Sequence, residues 1–342
     1  MKKKSNMKKI LFSLFVSASA TVTLNAKVLT VSNHAITAGK YTTVQEAIDA
    51  AAIGDTVYVH GSTTNYGNIK INKRLVLIGA GHNNKETQHN LNSRLESVEL
   101  TATNSSVLSS GSIIKGFSMS SISGTASNIL IERNHVSSIT VGGNNWIIKN
   151  NFISSTLNVN NNSNIIISNN VLNSVYYSDK PSVIITNNVL LGGVFYSLSY
   201  ATITNNLIIE TRKDNFLYGS QSTYNKNIAV YFDEVNFATL PPVGHTGIGN
   251  KNTVDNQFVS DITGKSISVD QARNYDWHLL STSLGYKYGT DGTDCGIYGG
   301  SYPMPNMSGV TQLPQVISMD IQNSVIPVGG TLNVELKAKS IK

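Results

Sequence analysis

The sequence predicts an all-β solenoid in which short strands stack coil upon coil around a narrow apolar core. The main observation is an asparagine-centred phrase, such as Ile-Ser-Asn-Asn-Val-Leu at 167–172, that occurs five times. Its central residues are Asn134, Asn151, Asn170, Asn188 and Asn206, spaced by 17, 19, 18 and 18 residues. A short fixed period of this kind indicates a stacked array of similar units. A low charged fraction of 13%, with abundant Ile, Val and Thr, favours strands over disorder.

The N-terminal segment 1–26 is predicted to be a secretory signal peptide. A lysine-rich start is followed by an apolar run at 10–16 and by small residues up to Ala26, where we expect cleavage, with Ala20 as an alternative position. The apolar run is short and rich in Ser and Thr, so an uncleaved anchor is only the alternative, and no membrane span is expected in the mature chain. We therefore expect a secreted, periplasmic or cell-surface protein.

The net charge gives no reason to expect nucleic acid as a partner. The formal charge is +6, from 26 basic and 20 acidic residues. Removing the five lysines of the signal segment leaves 21 basic residues against 20 acidic ones. A mature surface this balanced lacks the basic excess that nucleic-acid binding requires.

A short helix is predicted ahead of the first coils. Thr43 and Glu46 have the spacing of a capping box, and apolar residues recur at helical spacing within 44–51. Gly54 is expected to stop this helix, and the alternation at 56–59 predicts a strand after it.

This opening also carries a family resemblance. The run Ala-Ile-Asp-Ala-Ala-Ala-Ile-Gly-Asp-Thr-Val-Tyr-Val at 47–59, with Leu-Ile-Gly-Ala-Gly at 77–81, resembles the start of right-handed parallel β-helix proteins of the pectin-lyase-like superfamily. The resemblance implies that the helix covers the apolar end of the first coil. Residues 276–280 and 290–300 resemble the closing coils of secreted bacterial members, so a β-helix is expected over 27–300.

Residues 301–342 are predicted to form a linker and a short C-terminal β segment. Three prolines, Pro303, Pro305 and Pro314, indicate the linker. Apolar alternation at 317–321 and 332–336 predicts two strands. Docking on the solenoid, the start of a further β-sandwich and a sorting tail all remain open as roles.

Alternation along the repeated strands predicts three columns of inward-facing apolar side chains. The first column is Ile131, Ile148, Ile167, Ile185 and Ile203; the second is Ile129, Trp146, Ile165 and Val183; the third is Val136, Ile153, Leu172, Leu190 and Ile208. These columns would make a continuous core in which each coil is buried by its neighbours.

The asparagine pairs are expected where the strand direction changes. Asparagine tolerates the left-handed backbone region, and stacked asparagine side chains can hydrogen-bond from coil to coil. A structural role is therefore expected for the central asparagines. The residue before each central asparagine could instead contact sugar hydroxyls. These first residues of the pairs are Asn150, Asn169, Asn187 and Asn205.

The sequence predicts no catalytic residues, no cofactor and no metal site. Acid–base cleavage of an acidic polysaccharide needs paired groups on neighbouring coils. Between 128 and 210 the acids are Glu132, Asp179 and Glu210, separated by 47 and 31 residues, so none is one coil from another. His135 lacks a visible partner, and the pair at 233–234 is the remaining acidic candidate. Calcium stays possible but is not supported by an acidic cluster.

Aromatic and basic residues give the candidate binding surface. Arg133 and Lys149 lie almost one coil apart and could contact a uronate, with a solvated turn as the simpler interpretation. Aromatic residues follow the asparagine turn in three successive coils, where rings can stack on sugar faces. They are Tyr176, Tyr177, Phe195, Tyr196, Tyr200, Phe216 and Tyr218. Tyr177 and Phe195 are 18 residues apart and are expected to be in register, and about half of the set should be core.

The favoured interpretation is a monomeric, secreted β-helix protein that binds polysaccharide or a cell-surface glycan on its solenoid. A polysaccharide lyase or glycoside hydrolase acting on an acidic glycan is the first alternative. A structural or adhesive rod is the second.

Overall fold

The computed structural model describes residues 26–83, 87, 90–102, 108–180, 182–192, 194–209, 216–231, 239–310, 315–321 and 329–339. Apart from Ala26, the predicted signal peptide lies outside these residues. The helices and strands are, in chain order, β1 (Val28–Val31), α1 (Val44–Ala50), β2 (Thr56–Val59), β3 (Ile69–Ile71), β4 (Val76–Gly79), β5 (Arg94–Leu100), β6 (Ile113–Lys115), β7 (Ser118–Gly124), β8 (Leu130–Glu132), β9 (His135–Val141), β10 (Ile147–Lys149), β11 (Phe152–Asn158), β12 (Ile165–Ser168), β13 (Val171–Ser178), β14 (Val183–Thr186), β15 (Val189–Leu191), β16 (Phe195–Leu198), β17 (Thr202–Thr204), β18 (Leu207–Ile209), β19 (Phe216–Leu217), β20 (Thr223–Asn225), β21 (Ile228–Val230), β22 (Lys251–Thr253), α2 (Val269–Ala272), β23 (Gln315–Ile321) and β24 (Val334–Lys339).

Parallel pairing between successive coils builds two long sheets. The first sheet has ten strands in the order β1-β2-β4-β6-β8-β10-β12-β14-β17-β20, and the second has twelve, running from β3 at one end to β22 at the other. Each neighbouring strand comes from the next coil: Ile148 pairs with Ile131 on one side and with Ile167 on the other. The predicted all-β parallel β-helix is therefore confirmed.

The three predicted apolar columns form the core between the sheets. The isoleucines of the first column are in register across β8, β10, β12, β14 and β17, and each is 0% exposed. The third column is likewise in register, from Val136 to Ile208, and at most 2% exposed. Each strand contributes only a few side chains, so the core grows by one layer for each coil.

A ladder of buried asparagines runs along one edge of this core. From the second member onwards, each side-chain oxygen accepts a hydrogen bond from the backbone N–H of the member one coil earlier, at 2.8–3.0 Å, and the oxygen of the first member, Asn134, accepts from the backbone N–H of Phe117 at 3.1 Å. This asparagine ladder consists of Asn134, Asn151, Asn170, Asn188, Asn206, Asn227 and Asn250. The structural role expected for the central asparagines is confirmed, and the ladder continues through two further coils.

The residue before each ladder member makes the turn between the two sheets. Asn150, Asn169, Asn187 and Asn205 all have left-handed backbones, with φ between 55° and 59°. Their side chains are buried instead of facing solvent. Asparagine adopts this backbone region more readily than most residues, which explains its repetition at the turn.

Helix α1 covers the first coil, as the family resemblance implied. The hydroxyl of Thr43 accepts a hydrogen bond from the backbone N–H of Glu46 at 3.3 Å, and Ala47 and Ile48 are buried in the solenoid core. The helix ends at Ala50, earlier than the expected stop at Gly54. Gly54, with φ of 91°, instead makes the turn that leads into β2.

The last part of the chain folds back along the outside of the solenoid. Parallel pairing in the described residues ends at β22, which differs from the expectation of coils up to residue 300. Residues 256–310, here called the returning segment, then run back towards the N-terminal coils. Their hydrogen bonds step backwards through the solenoid: Tyr288 to Gly249, Gly296 to Asn205, Ile297 to Asn169, Tyr302 to Asn150 and Ser308 to His82.

The returning segment creates a second apolar core on the outer face of the second sheet. Phe152 and Ile153 are adjacent in β11, but Phe152 belongs to the second core whereas Ile153 belongs to the first. Alternation along a strand sends neighbouring side chains to opposite faces, so this sheet is apolar on both. The outer column of Phe152, Val171, Val189, Leu207 and Ile228 is covered by side chains that include Phe258, Val269, Trp277 and Ile297.

The predicted C-terminal β segment is an antiparallel pair. Strands β23 and β24 pair with each other, with Ile321 opposite Val334, and form a separate two-stranded sheet. Ile321 and Val334 are 51% and 41% exposed. The β appendage is thereby confirmed.

Candidate functional site

An exposed cluster of tyrosines, here called the tyrosine patch, lies on the second sheet. It consists of Tyr176, Tyr177, Tyr196 and Tyr218. The ring of Tyr196 is central, with centroid distances of 5.4 Å to Tyr176, 5.5 Å to Tyr177 and 5.3 Å to Tyr218. Tyr177 is 44% exposed and Tyr218 is 76% exposed. The patch therefore presents aromatic faces and phenolic hydroxyls to solvent across three coils.

Two tyrosines of the patch have strained backbones. Tyr177 has φ of 56° and Tyr218 has φ of 57°, and Ser197, in the coil between them, has φ of 56°. Bulky side chains rarely adopt left-handed φ, and such residues cluster at ligand sites. The left-handed backbone changes the direction in which these two side chains leave the strand, and both rings are exposed to solvent.

The other predicted aromatic residues lie outside the patch. Phe195 is 3% exposed and its ring is 6.4 Å from that of Tyr224, so it belongs to the core. Tyr200 is 44% exposed and also left-handed, with φ of 59°. Phe216 pairs with Phe195 in the sheet, and its side chain lies outside the described part of the chain.

The register expected for the aromatic residues is wrong. Phe195 pairs with Val175, and Tyr196 pairs with Tyr176, so this coil spans 20 residues. The equivalent step from Leu157 to Val175 spans 18. The additional residues lie between β15 and β16, where the single long strand of the preceding coil is divided in two. Tyr177 is consequently aligned with Ser197 and not with Phe195.

Arg133 and Lys149 lie beside the returning segment. The Lys149 ammonium is 3.2 Å from the Glu132 carboxylate and 4.5 Å from the centroid of the Tyr302 ring. Lys115 approaches the other oxygen of the same carboxylate at 3.5 Å. Arg133 makes the turn with φ of 57°, and its Nε has no hydrogen-bond partner among the residues that the structure describes. Lys149 thus shares one internal carboxylate with Lys115, so its ammonium already has an ion-pair partner within the chain.

A second candidate site lies nearer the N-terminal end of the same sheet. This histidine groove has a volume of about 360 Å³, and its lining includes Asn65, Arg94, Glu96, Ser118, His135 and Asp270. Ser118 and His135 pair across β7 and β9, and Phe152 is next in register under the returning segment. The outward-facing residues of the second sheet are thus apolar where the returning segment packs on them and polar in the groove beyond it.

Sequence reasoning missed the partner of His135. The imidazole Nε2 lies 2.6 Å from a carboxylate oxygen of Asp270, which is 135 residues away in α2. A capping box between Ser268 and Gln271 holds this short helix. The Ser-x-x-Gln spacing could have predicted the helix, but nothing in the local sequence could have placed it beside β9.

Burial controls the protonation of His135, which lines the groove, and of His82 behind it. Burial lowers the pKa of His135, and the nearby Arg273 lowers it further, while the Asp270 carboxylate opposes both. The ring of His82 is 6.1 Å from that of His135 and completely buried, which holds its pKa well below the ordinary value. Both imidazoles are therefore neutral at neutral pH.

The acidic candidates do not form a cluster in the described residues. Glu132 is paired with lysines. Asp291, an acidic residue of the glycine-rich stretch at 290–300, has a carboxylate oxygen that accepts hydrogen bonds from Thr293 in the same turn, at 2.7 and 3.1 Å. Glu210 and the pair at 233–234 lie outside the described residues. Within the described ranges, no three His, Cys, Asp or Glu side chains come together in a way that could hold a metal ion. None of the helices described is long and apolar enough to cross a membrane.

Comparison with known proteins gives a structural likeness but no sequence match. The chain matches no family model and no curated protein sequence. It is similar to a crystal structure of a pectin methylesterase mutant in complex with a hexasaccharide, at 10% identity and a TM-score of 0.30. The likeness covers 75% of this chain and 96% of the other. At these values it bears on neither reaction nor substrate, and the β-helix is established by the strand pairing of this chain itself.

We expect acid to destabilise the protein through His82. Its folded-state pKa is depressed, so the unfolded state binds the proton more readily. Stability is then present above the unfolded pKa of about 6.5 and is lost as pH falls below it, by up to about 1.4 kcal/mol per pH unit. Urea denaturation at several pH values measures the free energy of unfolding of the parent protein and of His82→Gln. The variant should lose less stability on acidification.

The exposed His278, whose side chain is 61% accessible, supplies the matched control. Because His82 is intact in it, His278→Gln should still lose stability as the pH falls, as the parent protein does. An identical acid dependence in His82→Gln would contradict the assignment to His82.

Proposed function

We propose that the protein binds polysaccharide on the outer surface of its β-helix, with the tyrosine patch as the main contact. The observation that carries the proposal is the central Tyr196 ring, in contact with three other tyrosine rings on a solvent-facing surface. Aromatic faces pack against the apolar faces of sugars, and phenolic hydroxyls hydrogen-bond to their edges. Export from the cytoplasm and a monomeric state belong to the same proposal.

The dimensions of the patch suit an extended chain. Parallel strands lie about 4.8 Å apart, so rings on three successive coils span roughly 10 Å along the solenoid axis. The strained backbones of Tyr177 and Tyr218 support binding over a purely structural rod. A rod needs only stacked coils and has no use for exposed aromatic residues held at a cost in backbone energy.

Tyr196→Ala should weaken binding without unfolding the protein. An aromatic contact contributes about 0.5–1.5 kcal/mol, so the dissociation constant of a bound glycan should rise roughly 2- to 13-fold. A panel of polyuronates and neutral glycans, read by calorimetry, identifies the ligand and measures the change. The melting temperature of the variant reports whether the solenoid remains intact.

Tyr286→Ala is the control, because Tyr286 is 39% exposed and lies outside the patch. It should leave glycan affinity unchanged. Equal affinities for the parent protein and Tyr196→Ala, or the absence of binding to every glycan in the panel, would contradict the proposal.

A further inference from the structure

The histidine groove contains a serine, a histidine and a carboxylate in one hydrogen-bonded line. The Ser118 hydroxyl oxygen lies 3.4 Å from Nδ1 of His135, and Nε2 of the same ring lies 2.6 Å from the Asp270 carboxylate. Strand register places the first pair, since Ser118 and His135 are neighbours in β7 and β9. The returning segment supplies the third member through α2. Three separate parts of the chain therefore converge on one imidazole.

The hydrogen bond to Asp270 determines the tautomer of His135. An ionised carboxylate can only accept, so the proton of the neutral ring is on Nε2. Nδ1 is then an unprotonated acceptor facing the hydroxyl of Ser118. This is the state that a general base needs in order to remove a proton from a serine nucleophile.

We propose that Ser118, His135 and Asp270 form a hydrolytic site for carboxylic esters, with Ser118 as nucleophile. This site is separate from the tyrosine patch and does not depend on glycan binding there. His135 is the general base, and Asp270 orients its ring and stabilises the imidazolium that forms during the reaction. The serine–histidine distance is long for a hydrogen bond, as is common before substrate binds.

The reaction balances with water as the second substrate. The Ser118 oxygen bonds to the ester carbonyl carbon while its proton passes to Nδ1 of His135. The tetrahedral intermediate expels the alcohol, which takes that proton, and an acyl-serine remains. Water then attacks the acyl carbon, giving its proton to Nδ1, and the free carboxylic acid leaves as the proton returns to the serine oxygen.

The groove lining indicates the class of ester. Arg94 is in register with Ser118 on the neighbouring strand and lines the same groove, and its guanidinium donates a hydrogen bond to the carbonyl of Thr63. A positive charge in the groove would favour a developing oxyanion. Asn65 and Glu96 add polar groups to an open groove of about 360 Å³. An apolar acyl chain would find few partners there. A small acyl group on a polyhydroxylated alcohol, such as an O-acetylated saccharide, fits this lining.

The first test is covalent labelling, which needs no knowledge of the natural substrate. A fluorophosphonate reacts with serines that are activated by a neighbouring base. Intact-mass and peptide analysis should find one adduct per chain, on Ser118, and none in Ser118→Ala. Ser121→Ala is the matched control: it removes a half-buried serine three residues along the same strand and should label like the parent protein.

The second test is turnover of p-nitrophenyl acetate and of acetylated glycans. Ser118→Ala and His135→Gln should each lower kcat/KM at least about 100-fold, the usual contribution of a positioned base. Both should keep the parent melting temperature. Ser121→Ala should retain activity.

The pH profile separates the positioning role of Asp270 from a merely structural one. Activity should rise with pH as His135 loses its proton. The midpoint should lie below the ordinary imidazole pKa, because burial and the charge of Arg273 lower the pKa of His135. The buried His82 behind it is neutral in this pH range. In Asp270→Asn the carboxylate that raises this pKa is gone. The midpoint should therefore move to still lower pH while the rate falls.

Some outcomes would overturn the proposal. The absence of any adduct, an adduct that persists in Ser118→Ala, or ester turnover unaffected by Ser118→Ala would each do so. Unsaturated products from a polyuronate that depend on His135 but not on Ser118 would replace it with a lyase site. Labelling of Ser118 with no glycan binding at the tyrosine patch would leave the ester site supported and the glycan proposal rejected.

Discussion

Replacing Ile167 with aspartate should unfold the solenoid. Ile167 is 0% exposed and stacks between Ile148 and Ile185 in the first column. Loss of a buried isoleucine side chain costs about 2–5 kcal/mol, and burying an unpaired carboxyl group adds several more. The sum is comparable to the whole stability of a folded domain, about 5–15 kcal/mol. Circular dichroism should record little cooperative melting, and urea denaturation should begin near zero denaturant.

The next coil offers a control with the same chemistry at a different exposure. Ile184 lies in β14, next to Ile185, and is 39% exposed on the outer face of the first sheet. Ile184→Asp leaves its carboxylate in water and should lower stability by no more than about 1 kcal/mol. Equal melting temperatures for the two variants would contradict the assignment of Ile167 to a dry column.

Removing Asn170 from the asparagine ladder should also have a large effect. The side-chain oxygen of Asn170 accepts hydrogen bonds from the backbone N–H and the amide group of Asn151, at 2.9 and 3.0 Å. Its own amide donates to the carbonyls of Ile148 and Ser168 and to the oxygen of Asn188. Asn170→Ala leaves several of these groups buried without a partner. At about 1–3 kcal/mol for each lost partner, we expect a loss of roughly 3–5 kcal/mol in urea denaturation.

Asn250, the last member of the ladder, provides the comparison. It accepts from the backbone N–H of Asn227 at 3.0 Å and is only half-buried, so water can replace its side chain. Asn250→Ala should cost about 1 kcal/mol. Similar losses for both variants would mean that the ladder makes no special contribution in the middle of the array.

The core could be predicted from the sequence because it depends on local periodicity. Side chains alternate along each strand, and the period of about 18 residues stacks like upon like, as the column from Ile131 to Ile203 illustrates. The asparagine turns followed from the same regularity. The register failed where the regularity failed, between β15 and β16, so Tyr177 was matched with Phe195 instead of with Ser197, two residues further along the same strand.

The candidate site could be predicted only in part. The tyrosines of the patch were identified by their position after the asparagine turn, although the local sequence could not separate the half-buried Tyr196 from the core residue Phe195. The Ser118–His135–Asp270 arrangement was not foreseen. Its serine and histidine are 17 residues apart, and its carboxylate arrives from α2.

By itself, the sequence determined the repeating unit: the strands, the left-handed turns, the three apolar columns and the asparagine ladder. Each of these depends on residues within a coil or one coil away, so periodicity is enough to specify it. The tertiary structure alone decided the path of the returning segment, the second apolar core and the partner of His135. Those contacts join residues far apart in the chain, and no local preference encodes which distant surface a segment will cover.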